Sequence, residues 1–203
     1  MKIICIGRNY VDHIRELNNA IPSSPVFFLK PDTALLIRNR PFYYPSFSAN
    51  IHYEAELVLK ICKVGKKIQR RFAHTYFDEI GIGLDMTARD LQDSAKQNGL
   101  PWALAKGFDQ SAPVGAFIPV SRFKDLTDIS FHLDLNGNTV QQGNSGLMIH
   151  PFDDIISYIS DFMTLRTGDY IFTGTPAGVG PVKIGDKLEA YIGDEKLLSC
   201  LVK

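Results

Sequence analysis

The chain has 203 residues, 45% of them hydrophobic, enough to close a core of its own as one domain. Its 22 basic and 22 acidic residues cancel, and no basic stripe or interleaved basic-aromatic patch occurs, which argues against a nucleic-acid partner. Three scattered cysteines, Cys5, Cys62 and Cys200, form no C-x-x-C, and no apolar run approaches the ~20 residues of a membrane span, so a soluble protein in a reducing, cytoplasmic setting is expected. Lys2 to Ile6 reads as a strand that stops at Gly7-Arg8, too short for a signal-peptide core. Tyr10 to Leu17 reads as a short helix, and Asn18 to Pro25, rich in Asn, Pro and Ser, as a breaker-dense loop. Strands are expected at Val26–Leu29, His52–Ile61, Glu79–Leu84 and Ser130–Leu135, the last turning at Asn136-Gly137-Asn138, a hairpin signal. Further strands are expected at Tyr170–Thr173, Lys187–Ile192 and Lys196–Val202. Helical periodicity is clearest in Ala88–Gln97 and in Phe152–Phe162, where Ile155, Ile156, Ile159 and Phe162 share a face. Many strands and few long helices predict a β-rich α+β fold rather than a doubly wound sheet.

The chemistry is carried by acids. Period-two alternation in Ile51-His-Tyr-Glu-Ala-Glu-Leu-Val-Leu59 puts His52, Glu54 and Glu56 on one face of the expected strand. Two carboxylates side by side against an apolar strand repel each other and resist desolvation unless a cation or donors offset them. An isolated E-x-E is also compatible with a solvated edge strand. With oxygen ligands alone, a bound ion would be Mg²⁺, Mn²⁺ or Ca²⁺ rather than Zn²⁺. In the expected first helix, His13 and Glu16 stand three apart, where a carboxylate can orient an imidazole; a surface pair has the same spacing. Arg89 and Gln92 are likewise one turn apart, though Arg89 could pair on the surface with Asp85, Asp90 or Asp93. Lys106 follows apolar residues and precedes Gly107, an odd place for a solvated lysine. Thr173-Gly-Thr-Pro-Ala-Gly-Val-Gly lacks the Gly-Lys-Ser/Thr ending of a nucleotide loop; its glycines permit close backbone approach.

Five ordered segments resemble the fumarylacetoacetate hydrolase (FAH) family: Gly7-Arg-Asn-Tyr-Val-Asp-His13, Phe28-Leu-Lys-Pro31, Leu84-Asp-Met-Thr-Ala-Arg-Asp-Leu-Gln-Asp93, Gly99-Leu-Pro-Trp-Ala-Leu-Ala-Lys-Gly-Phe-Asp109 and Thr173-Gly-Thr-Pro-Ala-Gly-Val-Gly-Pro181, with Gly185-Asp186 beyond. The likeness spans nearly the whole chain and is narrowest to the small single-domain acylpyruvases and oxaloacetate decarboxylases. It implies the FAH fold, a compact roll of mixed sheets, normally a homodimer, with residues 1–203 as one catalytic domain and 10–25 as a mobile lid.

The resemblance also implies roles. Glu54, Glu56 and Asp85 match the metal triad, for Mg²⁺ with Mn²⁺ or Ca²⁺ as substitutes. His13 and Glu16 match the water-activating dyad. Arg89, Gln92 and Thr175 match substrate-binding positions, and Lys106 matches the lysine that both binds substrate and stabilises enolate charge. From the residues themselves, His52, on the face of the acids, reads as orienting a ligand rather than as a fourth ligand, and His74, His132 and His150 read as surface or core residues with no role. The implied substrate is a small 2-oxo acid, cleaved as an acylpyruvate or decarboxylated as oxaloacetate. The alternatives are isomerisation of 2-hydroxyhepta-2,4-diene-1,7-dioate or a related hydratase step, and binding of oxo acids without turnover. Three positions depart from the family pattern: Ser145 stands where a Thr is usual, His150 where an aromatic is usual, and Asp32 where a small hydroxyl residue is usual.

Overall fold

A computed structural model describes residues 1–16 and 20–203. In chain order the first half runs β1 (Ile3–Gly7), α1 (Val11–Glu16), β2 (Val26–Lys30), β3 (Leu35–Leu36), β4 (Ile51–Tyr53), β5 (Ala55–Ile61), β6 (Phe77–Leu84), β7 (Thr87–Ala88), α2 (Arg89–Gln97) and α3 (Ala103–Lys106). The second half runs β8 (Ala112–Pro119), β9 (Ser130–Leu135), β10 (Asn138–Asn144), α4 (Phe152–Phe162), β11 (Tyr170–Phe172), β12 (Gly180–Pro181), β13 (Lys187–Ile192) and β14 (Glu195–Leu201). This is the β-rich α+β architecture expected from the sequence.

Three sheets share the work. The largest has the order β2-β1-β11-β5-β6-β8-β3, a second has β10-β9-β13-β14, and a small third has β12-β4-β7. The first strand, Ile3-Ile4-Cys5-Ile6, is buried because it runs parallel to β11 near the middle of the large sheet. β5 is the central strand of that sheet, so its apolar residues are buried on both faces. Asn136 and Gly137 make the expected two-residue turn between β9 and β10, both at positive φ (54° and 81°).

Two expectations change. The segment His52–Ile61 is two strands, not one: the chain breaks at Glu54, sending β4 into the small sheet and β5 into the large one. The alternation is sound on each side of that break, but it does not describe one continuous face. The stretch 112–119, given no element by the sequence, forms β8; Pro113, Gly115 and Pro119 there read as breakers. Gly115 is needed because the backbone of β14 passes so close that a Cβ would fall 2.4 Å from the Leu197 carbonyl oxygen. Ser145 keeps a backbone role: its hydroxyl accepts from Ile129 N and donates to the Leu126 carbonyl, both at 2.8 Å. Asp32 is exposed, and Cys62, unlike the buried Cys5 and Cys200, is only half-buried. Among the described residues no helix is long and apolar enough to cross a membrane.

Candidate active site

Register in the large sheet assembles the acids. β5 pairs antiparallel with β6, placing Ala55 opposite Leu84 and Glu56 opposite Gly83. The residue after β6, Asp85, therefore meets Glu54, and its N–H donates to the Glu54 carbonyl at 2.8 Å. Glu54, Glu56 and Asp85 are all buried, each with a carboxylate oxygen within 4.8 Å of the others. The small sheet adds the next residues: β4 pairs with β7 (His52 opposite Thr87), which sets Arg89 at the start of α2.

Three cations face the three acids. The Lys106 ammonium, at the end of α3, donates to Glu54 Oε2 (2.7 Å), Asp85 Oδ2 (2.7 Å) and Thr87 Oγ1 (2.6 Å). Burial alone would lower its pKa, but the Asp85 and Glu54 carboxylates more than offset this and raise it, so the group is a fixed cation. Arg89 pairs with Glu54 through Nη2 and with Gln92 through Nη1, and both are buried, which rules out the surface pairing that its neighbours in sequence offered. Burial pushes the Glu54 carboxyl up, yet Lys106 and Arg89 override it and hold the group well below the usual carboxylate range.

The third cation is Lys30, which sequence reading passed over inside the apolar run Val-Phe-Phe-Leu-Lys. It is fully buried at the end of β2, with its ammonium 2.8 Å from Asp85 Oδ1. Its hydrogen bonds go elsewhere, to Ser111 Oγ (3.0 Å) and the Met86 (3.3 Å) and Lys106 carbonyls. Asp85 Oδ1 thus has a neighbouring charge but no hydrogen-bond donor.

Glu56 differs from its two neighbours. It has no cationic partner among the described residues and accepts only from Gly174 N, at 2.6 Å. Gly174 sits at φ 102°, where an added Cβ would come 2.6 Å from that of Asn9, so the close backbone approach requires glycine. Burial, then the charges of Asp85 and Glu54, push the Glu56 carboxyl well above the usual range. An under-compensated carboxylate, an acceptor without a donor on Asp85, and oxygen donors only: these fit a hard divalent cation. A cavity of about 30 Å³ lies here, room for an ion or a water, and it opens outward to solvent.

This arrangement has a testable consequence. Between its ordinary value of 4.5 and the raised folded one, Glu56 keeps a proton that the unfolded chain has lost. Its contribution to the stability of the metal-free protein is therefore present at low pH and lost as pH rises towards the folded value. A cation must displace that proton, so Mg²⁺ binding should tighten with rising pH and release protons, read by calorimetry in buffers of different ionisation enthalpy. Glu56→Ala should abolish the Mg²⁺-dependent rise in Tm while raising the Tm of the metal-free protein. Unchanged Mg²⁺ binding in this variant would sink the triad.

The rim is built by α1 and the glycine loop. His13 is buried and lines the cavity, with Nδ1 3.1 Å from Glu16 Oε2. The other Glu16 oxygen accepts from Gly178 N at 3.0 Å, which fastens α1 to that loop. Thr175 also lines the cavity. Its Oγ1 accepts from Gln141 Nε2 (2.9 Å), leaving the Thr175 hydroxyl proton free for another acceptor. Gln141, another buried residue missed from sequence, also accepts from Ala55 N at 2.9 Å, between the two glutamates. Nothing in the local pattern of β10 distinguishes it. Asn9 anchors the same region, donating to the Thr173 carbonyl at 2.7 Å and binding both backbone groups of His150. His52 bonds to Asn50 (3.1 Å) rather than to any acid, so the orienting role expected for it is not supported. His132 stacks on Tyr191, far along the second sheet.

Comparison with known proteins places this geometry. The family model described as fumarylacetoacetate (FAA) hydrolase C-terminal matches residues 2–202. The chain is 46% identical over 190 residues, covering 94% of it and 86% of the relative, to the mitochondrial oxaloacetate tautomerase FAHD1 of Bos taurus. It is 44% identical over 192 residues, covering 94% of it and 88% of the relative, to the mitochondrial oxaloacetate decarboxylase of Dictyostelium discoideum. Among solved structures, fumarylpyruvate hydrolase from Pseudomonas aeruginosa, in complex with Mn²⁺ and pyruvate, superposes with a TM-score of 0.94 at 37% identity, covering 100% of this chain and 89% of that one.

Proposed function

The chain belongs to the fumarylacetoacetate hydrolase family, and on that premise we propose that it is a divalent-metal enzyme of small 2-oxo acids, acting on oxaloacetate by keto–enol exchange and decarboxylation and on acylpyruvates by C–C hydrolysis. The observation that carries this reading is the buried Lys106 ammonium, held between two of the three candidate metal ligands where a developing enolate would lie. A divalent cation held by Glu54, Glu56 and Asp85 would supply Lewis acidity to the oxo and carboxylate oxygens of such an acid.

The side chains supply the rest. Arg89, Gln92 and the free Thr175 proton are donors for the substrate carboxylate and oxo group, and Arg89 Nε is buried with no partner of its own. Lys106 places a fixed positive charge against the negative charge that grows on C3 and the 2-oxo oxygen. With Nδ1–H directed at Glu16, His13 keeps the Nε2 lone pair for accepting a proton. In hydrolysis, water loses that proton to Nε2 and its oxygen bonds to the 4-oxo carbon. The C3–C4 bond then breaks, and its electron pair stays with the departing pyruvate enolate. In decarboxylation the same enolate arises as CO₂ leaves, with no attacking water.

Residues 1–203 act in this reading as one catalytic domain, a homodimer in solution, with 10–25 as the lid. Leu17, Asn18 and Asn19 of that segment lie outside the described residues. The names of the two relatives include a mitochondrial location; the three free cysteines suit any reducing compartment.

A substrate panel tests the proposal. Acetylpyruvate, oxaloacetate, fumarylpyruvate and a 2-hydroxy-2,4-dienedioate are followed by ultraviolet absorbance with and without Mg²⁺. The first three should react only with metal, and oxalate, a planar mimic of the enolate, should inhibit competitively. Reaction of the dienedioate alone, with no pyruvate released, would replace this reading with the isomerase.

A further inference from the structure

The reactive head of a 2-oxo acid uses the metal-side residues, yet two more cations line the same cavity. Arg8 and Lys96 are both half-buried at its outer part, beside Trp102 and Phe28. Arg8 has no ion pair or side-chain hydrogen bond among the described residues, and the one ion pair of Lys96 there is with the exposed Asp93, at 4.0 Å. The cavity lining thus carries the cations Arg8, Arg89, Lys96 and Lys106 against the acids Glu54, Glu56 and Asp85. Lys106 and Arg89 are ion-paired with those acids; Arg8 and Lys96 are not.

Their placement costs energy. Arg8 follows β1 in the left-handed backbone region, φ 67°, a conformation that a non-glycine residue keeps only when its surroundings enforce it and that gathers at binding sites. Lys96 lies over the Trp102 ring at 5.9 Å, and Trp102 in turn packs edge-on against Phe28. Its ammonium is disfavoured by burial and then by the nearby Arg89 and Arg8 charges. Solvated surface cations would relax away from each other; these are held together in a wall of the active-site cavity.

We propose that Arg8 and Lys96, steadied by Trp102, form a subsite for a second carboxylate, so that the enzyme selects dicarboxylic 2-oxo acids over those with a neutral tail. The inference rests on the proposed function and adds the far end of the substrate to it. It also bears on which reaction dominates. In decarboxylation the C3–C4 bond breaks, its electron pair becomes the enolate, and the distal carboxylate departs as neutral CO₂. Cations on that carboxylate stabilise the charged ground state and lose their partner in the transition state. Arg8 and Lys96 therefore favour binding, keto–enol exchange and hydrolysis, in which the distal carboxylate persists, and oppose loss of CO₂.

The test pairs two ligands that differ at the far end alone: 2-oxoglutarate, and 2-oxopentanoate with a methyl group in place of the distal carboxylate. In calorimetric titration of the Mg²⁺-loaded protein, 2-oxoglutarate should bind at least tenfold more tightly. The advantage should disappear in the double variant Arg8→Gln/Lys96→Gln, whose Tm and Mg²⁺ binding are measured alongside to show that it folds. In turnover, the double variant should raise KM for oxaloacetate by at least tenfold, leave kcat for decarboxylation equal or higher, and leave acetylpyruvate kinetics within about twofold. No advantage in the wild type, an advantage that survives in the variant, or equal losses with oxaloacetate and acetylpyruvate would overturn the subsite. Selective binding without turnover of any oxo acid would leave the subsite standing and overturn the enzymatic reading instead.

Discussion

Lys106→Met should lower turnover of oxaloacetate and of acylpyruvates by ~10²–10³-fold, the loss expected when one preorganised donor to a developing oxyanion is removed. The same change should unbalance the metal-free protein. Lys106 is buried, and its ammonium serves Glu54, Asp85 and Thr87 at once. Removing it leaves two buried carboxylates with one fewer counter-charge, a loss of about 3–5 kcal/mol by the measure of broken buried pairs. Saturating Mg²⁺ should recover most of that stability without recovering turnover, because a divalent ion can neutralise the acids but cannot take the place of the lysine at the substrate. Lys106→Arg should not rescue activity, since a planar guanidinium cannot reach three acceptors arranged around a tetrahedral nitrogen. Thermal denaturation with and without Mg²⁺, beside steady-state kinetics, decides the matter. Turnover close to wild type in Lys106→Met would remove the lysine from the chemistry.

His13→Ala should reduce acylpyruvate hydrolysis by ~10²–10⁴-fold, the usual contribution of a positioned general base, while Mg²⁺ binding stays as it was. His13 touches none of the three acids; its partner is Glu16, which is fixed in turn by Gly178 N. Glu16→Gln should act in the same direction but more weakly, since an amide oxygen can still accept from the imidazole N–H without stabilising the imidazolium that forms. Decarboxylation of oxaloacetate requires no attacking water, so it should suffer less in both variants. Equal losses in the two reactions would assign His13 to positioning of the lid rather than to proton transfer.

Several features of the site are legible in the sequence because they are local. The three-residue spacings of His13 with Glu16 and of Arg89 with Gln92 meet on one helix turn, and both pairs are in contact. The Asn136-Gly137 turn and the buried α4 face of Ile155, Ile156 and Ile159 follow from backbone sterics and helical period, whereas Phe162, expected on that face, is exposed. The acid pair Glu54 and Glu56 is two residues apart, so strand geometry alone keeps them close. Asp85 lies some thirty residues further along the chain, and in the sequence only the family resemblance attaches it to that pair. The β5–β6 register supplies the physical reason it belongs there.

By itself, then, the sequence determined most of the longer elements, the acid pair and the two helical-turn pairs, since each depends on spacing along the backbone, and composition set the neutral charge balance. The tertiary structure decided which remote residues stand beside them. Lys30, Gln141 and Arg8 have no distinguishing local pattern: one ends an apolar strand, one lies in a polar hairpin arm, one follows a glycine. Their importance comes from what the fold brings beside them, Asp85 for Lys30, Thr175 for Gln141 and the outer cavity for Arg8. The break at Glu54 is hidden from sequence for the same reason. Hydrophobic alternation reports which face of a segment is buried, whereas the sheet a strand joins is set by long-range register, which no local period encodes.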